Sequence, residues 1–413
     1  MNVLVIGEQL RQPVPGGIGT YVLGLMQGLR QMRRDAPPVS VHASRYRPPD
    51  NRGRAPLHDP VGGFPVIASR LPSRWLLAAW TAGVVGVPAP ARNGGGSAQW
   101  DVVHAPSLAF PRRGVAGSSS EPRRGVAGSS SESRRGVAGR SSGARRGRAP
   151  LAVVVNDLAW RQVPEAFTRH GVAWHEKQLR RVLDTAALVM VPCDETATAL
   201  EKAAAGEAGV RSRRVPRIEV ITYGVDHLAH PDVEGADALL DQLGVNGAFV
   251  ICVGTREPRK NLERLIAAFG QARLGSEWWL VVAGPEGWGE QGRDCLPSGV
   301  VFTGPVPAEV LSGLYARAGM AAYVPLTEGW GLPAVEAMAA GIPVVASPVP
   351  STRGAALEVD PRDTGQIAEG LVAVATDAAV RRSLIEAGSR RVAGMTWLET
   401  ARRHVALWES IGG

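Results

Sequence analysis

Two carboxylates and two cations mark where this 413-residue sequence could do chemistry. Glu328 and Glu336 stand eight residues apart in TEGWGLPAVEAMAAGIPVVAS (327–347), a Glu-x7-Glu spacing. Pro333 suits the first turn of a helix. Glu336 is then expected within that turn, where the helix dipole keeps it ionised, and Glu328 in the preceding loop. Gly329 and Gly331 let backbone approach a ligand, with Leu332 following at the helix entry. Two ionised carboxylates at one strand end suit sugar and ribose hydroxyls, which donate hydrogen bonds. In GTREPRKNLERL (254–265), Arg259 and Lys260 end a loop before a helix that begins near Asn261, a good N-cap. Two cations beside a positive helix end make a diphosphate site. Arginine outnumbers lysine 43 to 3, so a lysine kept at a strand-to-helix junction points to function rather than to a solvated charge. A third junction, PGGIGTY (15–21), brings Gly17 and Gly19 to a helix entry, where backbone amides can face an anion. It departs from the dinucleotide fingerprint, which would need glycine where Val22 stands. On its own it is no more than a tight turn.

The elements that must hold these junctions alternate. NVLVIG (2–7) reads as a buried strand, followed by a helix from about Gly17 with apolar residues at helical spacing. Strands at WDVVHAP, LAVVVND and ALVMVP alternate with helices at WHEKQLRRVLDTA and DETATALEKAA. The pattern repeats after a polar stretch at 227–246, with strands AFVICVGT, WWLVVAG, VVFTGPV, AAYVP and PVVAS separated by helices. The expected fold class is α/β, with two Rossmann-like doubly wound domains. Their bounds are 1–226 and 247–395, joined by a linker at 227–246. Residues 396–413 form a C-terminal helix that can pack back on the first domain. In such sheets ligands bind at the carboxyl ends of the strands.

The net charge of +8 and pI near 10.0 would suggest a nucleic-acid partner. Their location argues otherwise. Residues 112–148 hold ten Arg and two Glu, which carries the whole net charge and leaves the rest of the chain neutral. This insert contains an 11-residue tandem repeat, RRGVAGSSSEP (112–122) and its two successors to 144, with one large aliphatic residue per unit. Such a composition favours a disordered surface loop; a tether to anionic lipid or nucleic acid is the competing reading. Three well-separated cysteines, Cys193, Cys252 and Cys295, fit a reducing cytoplasm rather than a disulfide scaffold. MNVLVIGEQ lacks a basic n-region and reads as a strand, not a signal peptide. Trp75 to Ala91 is uncharged but contains Pro88 and Pro90, and reads as a core helix plus loop. Peripheral contact with the inner membrane face stays compatible with it.

Taken together, EGWGLPAVEAMAAGIPVVAS, GGIGTY and GTREPRKN resemble the motifs of glycosyltransferase family 4, retaining enzymes of the two-domain GT-B fold; DVVHAP and DLAWRQVPEAF are also similar. The resemblance covers essentially the whole chain outside 112–144. It implies a nucleoside diphosphate sugar donor, held mainly by the C-terminal domain at a cleft between the domains. Glu336 would hold the ribose, Glu328 would contact the transferred sugar, and Arg259 and Lys260 would stabilise the departing diphosphate. Gly17 and Gly19 would offer amides, with Thr255, Gly329, Gly331 and Leu332 completing the donor site. No cofactor or metal is expected, and the sequence holds no Asp-x-Asp and no Cys-x-x-Cys pair. The acceptor would be a glycan, glycolipid or other hydroxyl compound. GDP-mannose is one donor among several, in cell-surface polysaccharide or glycoconjugate synthesis.

Two positions depart from the family pattern. Asn156-Asp157 replaces the His-Asp of many relatives, and Thr255 stands where many carry Arg, so that Arg256 or Arg259 would compensate. Asn156 can accept a sugar hydroxyl but cannot carry a proton as histidine does. His104, ending a strand, either lines the cleft beside Asn156 and Asp157 or belongs to the core. These departures support a second reading, a nucleotide-sugar or glycan binding protein that has lost turnover.

Overall fold

The computed structural model describes residues 1–45, 63–88, 99–111, 148–206, 215–287 and 297–412. The repeat at 112–144 and Cys295 lie outside them. Each half is one parallel sheet. The first contains β1 (Val3–Ile6), β2 (Val39–Ser44), β3 (Val66–Ser69), β4 (Val102–Ala105), β5 (Leu151–Val154), β6 (Leu188–Val191) and β7 (Arg217–Val220), in the order β3-β2-β1-β4-β5-β6-β7. The strands β1, β4, β5 and β6 are buried at every residue, which is why they read as short apolar runs without alternation. Helices α1 (Gly16–Met32), α2 (Ser73–Ala82), α3 (Ala159–Gln162), α4 (Arg169–Thr185) and α5 (Asp194–Ala205) cover the sheet.

The stretch 227–246 is not a bare linker. It contains α6 (Val233–Gln242), capped by the Asp232 carboxylate on the Gly235 amide. The second sheet follows, from β8 (Ala248–Val253), β9 (Trp278–Ala283), β10 (Val300–Gly304), β11 (Met320–Tyr323), β12 (Val344–Ala346) and β13 (Leu357–Glu358), in the order β10-β9-β8-β11-β12-β13. Its helices are α7 (Leu262–Ala272), α8 (Ala308–Arg317), α9 (Leu332–Ala339), α10 (Thr364–Thr376) and α11 (Ala378–Val392). The six-strand order, like its counterpart in the first sheet, reverses direction once. The reversal falls between β1 and β4 in the first domain and between β8 and β11 in the second. Loops diverge there and open a crevice at the carboxyl ends of the strands.

Helix α12 (Trp397–Gly412) packs along α1 of the first domain. Trp397 is fully buried in a slot that only glycines permit: a Cβ on Gly24 would overlap its ring, and one on Gly28 or Gly224 would overlap its backbone. Tyr21, Tyr223, Trp397 and Trp408 share one buried apolar cluster with Phe249, Tyr323 and Val335 of the second domain. The two halves thus share a continuous core around the crossing segment at 221–228.

Candidate functional site

The loops after β8 and β11 meet at the switch point of the second sheet. A 3-10 turn, Pro258–Lys260, follows β8 and presents Arg259 and Lys260. Asn261 comes next with φ 59°, in the left-handed region that asparagine tolerates. It stands at the N-cap of α7, but its side chain makes no cap. Its Nδ2 instead donates to the carbonyls of Val324 (2.9 Å) and Pro361 (2.7 Å), tying the cation loop to the loops after β11 and β13.

Glu328 lies opposite, its side chain 12% exposed. Its Oε2 accepts from Lys260 Nζ at 2.5 Å and from the Tyr323 hydroxyl at 2.7 Å, and its Oε1 pairs with Arg259 at 2.8 Å. Burial alone would raise its pKa, but Arg259 and Lys260 override this and hold the carboxyl well below the usual range. Arg259 also donates to Glu257 at 2.7 Å. Burial works against its charge, yet Glu328, Asp157 and Glu257 hold its pKa above the ordinary value. Lys260 uses two of its three donors, on Glu328 and Tyr323, so one remains for a ligand.

Glu336 differs from its expected placement. Helix α9 begins at Leu332, with Gly331 at the N-cap in the left-handed region (φ +97°) and Pro333 in the first turn. Glu336 therefore falls in the second turn rather than the first. It is buried, with Oε1 3.0 Å from His227 Nε2 and Oε2 accepting from the Tyr315 hydroxyl at 3.0 Å. Two protein hydrogen bonds leave about half of a carboxylate's lone-pair sites for hydroxyl donors. His227, Tyr315, Tyr323 and Glu257 were not singled out from sequence.

The other expected residues divide. A Cβ on Gly329 would overlap the Asn156 carbonyl oxygen, so this glycine serves contact between the domains rather than approach to a ligand. The same loop is held by Cys193, whose thiol donates to the Gly329 carbonyl at 3.0 Å, and by a hydrogen bond between Thr327 and Gln162. The Leu332 side chain lies in the core, which leaves only its backbone near the site. Thr255 precedes the cation turn and its carbonyl accepts from the Glu257 amide at 2.9 Å. Arg256 pairs with Glu286 at 2.7 Å and lies over the Phe302 ring, so Arg259 is the arginine beside Glu328. In α1, the Gly19 amide is already bonded to the Pro15 carbonyl at 3.1 Å and cannot serve an anion. Gly17, one position from the helix start, is exposed.

Asn156 accepts from the Tyr223 hydroxyl at 2.6 Å and donates to the Pro106 carbonyl at 3.4 Å, while Asp157 accepts from the Ala159 amide at 3.0 Å. His104 does not line the cleft. It is 0% exposed, and its Nε2 lies 2.9 Å from the Tyr21 hydroxyl, beside His404 and Trp408. Among the described residues no group of three or more His, Cys, Asp or Glu comes together as a metal site, and no helix is long and apolar enough to cross a membrane.

Comparison with known proteins bears on this geometry. Residues 241–391 match the family described as Glycosyl transferases group 1. Over 259 residues the chain is 27% identical to O-antigen chain mannosyltransferase B of Escherichia coli, spanning 59% of this chain and 65% of that protein. A D-inositol 3-phosphate glycosyltransferase of Corynebacterium urealyticum is 31% identical over 147 residues, 32% of this chain and 35% of the relative. The matches thus cover less than two thirds of these relatives' lengths. Sucrose-phosphate synthase of Thermosynechococcus elongatus superposes with a TM-score of 0.66 at 19% identity, over 99% of this chain and 98% of that one. Anabaena HepE in complex with UDP-glucose gives 0.65 at 17% identity, over 99% and 100%. The fold is GT-B.

Proposed function

We propose that this protein is a retaining glycosyltransferase that moves a sugar from a nucleoside diphosphate sugar to a hydroxyl of a glycan, glycolipid or related acceptor. The observation that carries this reading is the Lys260–Glu328–Arg259 cluster at the switch point of the second sheet, whose lysine keeps a free donor. Lys260 and Arg259 would neutralise the diphosphate as it departs. Preorganised charge of this kind is the largest single contribution to many enzymatic rates. Glu328, held ionised by these cations, would orient the transferred sugar through its hydroxyls. Glu336 would accept from the ribose, and the Gly17 amide at the first sheet's switch point would meet the donor or acceptor.

In the step itself the acceptor oxygen bonds to the anomeric carbon as the bond from that carbon to the diphosphate breaks. The acceptor's proton passes to the departing diphosphate on the same face, so configuration is retained. The chain's own cations carry the charge, so the reaction is expected to run without a metal. Relatives named as mannosyltransferases make GDP-mannose the first donor to test, and HepE, solved with UDP-glucose, makes that nucleotide the second. O-antigen assembly in the first relative supports a role in cell-surface polysaccharide or glycoconjugate synthesis. The free thiols Cys193 and Cys252 suit a cytoplasmic setting. The binding-only reading loses its support at Asn156, whose side chain holds the crossing segment through Tyr223. A thermal-shift panel of nucleoside diphosphates and their sugars tests donor binding, since a ligand of the native state raises stability by mass action. Product analysis by NMR tests the anomeric outcome. Absence of any shift across the panel would overturn the reading.

A further inference from the structure

We propose that His227 is a positioning residue for Glu336, and that Trp397 fixes the way it acts. The Trp397 indole Nε1 lies 3.1 Å from His227 Nδ1. An indole N–H can only donate, so Nδ1 must accept. The ring proton then sits on Nε2, which lies 3.0 Å from Glu336 Oε1 and donates to it. The Tyr315 hydroxyl donates to Oε2 at 3.0 Å. Glu336 is therefore clamped from both sides, by one donor from α8 and one from the crossing segment.

The crossing segment is itself anchored. His227 lies in a 3-10 turn, Asp226–Leu228. Asp226 accepts from the Trp397 amide at 2.7 Å, Val225 donates to the Met395 carbonyl at 3.1 Å, and Gly224 packs on the Trp397 backbone. Trp397 in turn fills the slot against α1. A continuous set of contacts thus runs from α1 of the first domain through Trp397 and His227 to Glu336 in the second. In a mobile carboxylate the oxygens must be ordered when a ribose arrives; here that ordering is done in advance, which favours binding. The proposal rests on the reading that Glu336 holds the ribose.

The test is calorimetric titration of the full chain with UDP and GDP and with their 2′,3′-dideoxy counterparts. Wild type, His227→Phe, His227→Gln, Trp397→Phe and Glu336→Gln are compared, with folding checked by thermal unfolding. His227→Phe should weaken the preferred nucleoside diphosphate by about tenfold, in the range of coupled neighbours. The loss should fall to within about twofold for the dideoxy form, which lacks the hydroxyls Glu336 would bind. His227→Gln keeps an N–H donor and should recover most of the affinity. Trp397→Phe, which keeps a ring in the slot, should lie between. With a saturating donor, kcat should change little in His227→Phe while donor KM rises. Unchanged affinity in His227→Phe, or equal loss for ribose and dideoxyribose forms, overturns the proposal. If Glu336→Gln loses ribose preference while His227→Phe does not, only this inference fails. If Glu336→Gln also keeps it, or wild type binds neither nucleotide, the ribose reading itself fails.

Discussion

The two halves of the molecule each bury a cluster of titratable side chains, and the clusters are built in opposite ways. In the core of the first domain His104 and Tyr21 form a chain of hydrogen bonds with His404 of α12. His404 Nδ1 meets the Thr400 carbonyl at 2.7 Å, so that nitrogen must donate. Its Nε2 therefore accepts from Tyr21 at 2.7 Å, and Tyr21 accepts from His104 at 2.9 Å. No member carries a charge, and burial pushes both histidines down, His404 to about 4. In the second domain Arg259 and Lys260 pair with Glu328 at the carboxyl ends of the central strands β8 and β11. Charges survive burial there because each is paired. The first arrangement closes α12 onto its domain; the second holds charge ready for a ligand.

Three outcomes test this contrast. The largest is expected at the charged cluster. Lys260→Ala and Glu328→Gln should each lower kcat by about 10²–10³-fold, as loss of one preorganised electrostatic contact does elsewhere. Sugar transfer measured by product chromatography, with circular dichroism to confirm the fold, decides it. Activity within a few-fold of wild type in both variants would place the chemistry elsewhere.

The second effect belongs to the neutral cluster and concerns stability. An unfolded histidine titrates near 6.5, whereas folded His404 titrates at about 4. Between those values the unfolded chain binds more protons than the folded one. Stability from this histidine is thus complete above about pH 6.5 and is lost as pH falls toward 4, at up to about 1.4 kcal/mol per pH unit. Glu328, held far lower, stays ionised across this window. Urea midpoints from pH 7.5 to 4.5 should fall, and His404→Gln should flatten the fall. A third, smaller effect follows from His104→Phe, which should cost about 1–3 kcal/mol by removing the donor to Tyr21. Its donor kinetics should stay near wild type. A large activity loss without unfolding would return His104 to the cleft.

The same contrast explains what was legible in the sequence. The alternation of strand and helix was legible because buried parallel strands read as short apolar runs. Lys260, Arg259 and Glu328 were legible because a strand end, a glycine and a charge fall within a few residues of one another. His104 also stands at a strand end, but its fate was decided by α12, whose His404 meets Tyr21 across 383 residues. Glu336 was marked by its spacing, yet its partner His227 lies 109 residues away in a stretch that reads only as polar. Gly329 carried a correct signal of close approach with the wrong neighbour, since the approaching group is a carbonyl of the other domain. Local patterns marked the charges; long-range packing determined which titratable residues were sealed away.

The cations beside Glu328 are proposed to hold a diphosphate. This is tested most directly by titrating UDP and GDP into wild type, Lys260→Ala and His104→Phe under one condition. One nucleotide should bind wild type and His104→Phe alike with roughly micromolar affinity, and Lys260→Ala at least about tenfold more weakly, the loss of one charge-assisted hydrogen bond. Equal affinity in wild type and Lys260→Ala would contradict it.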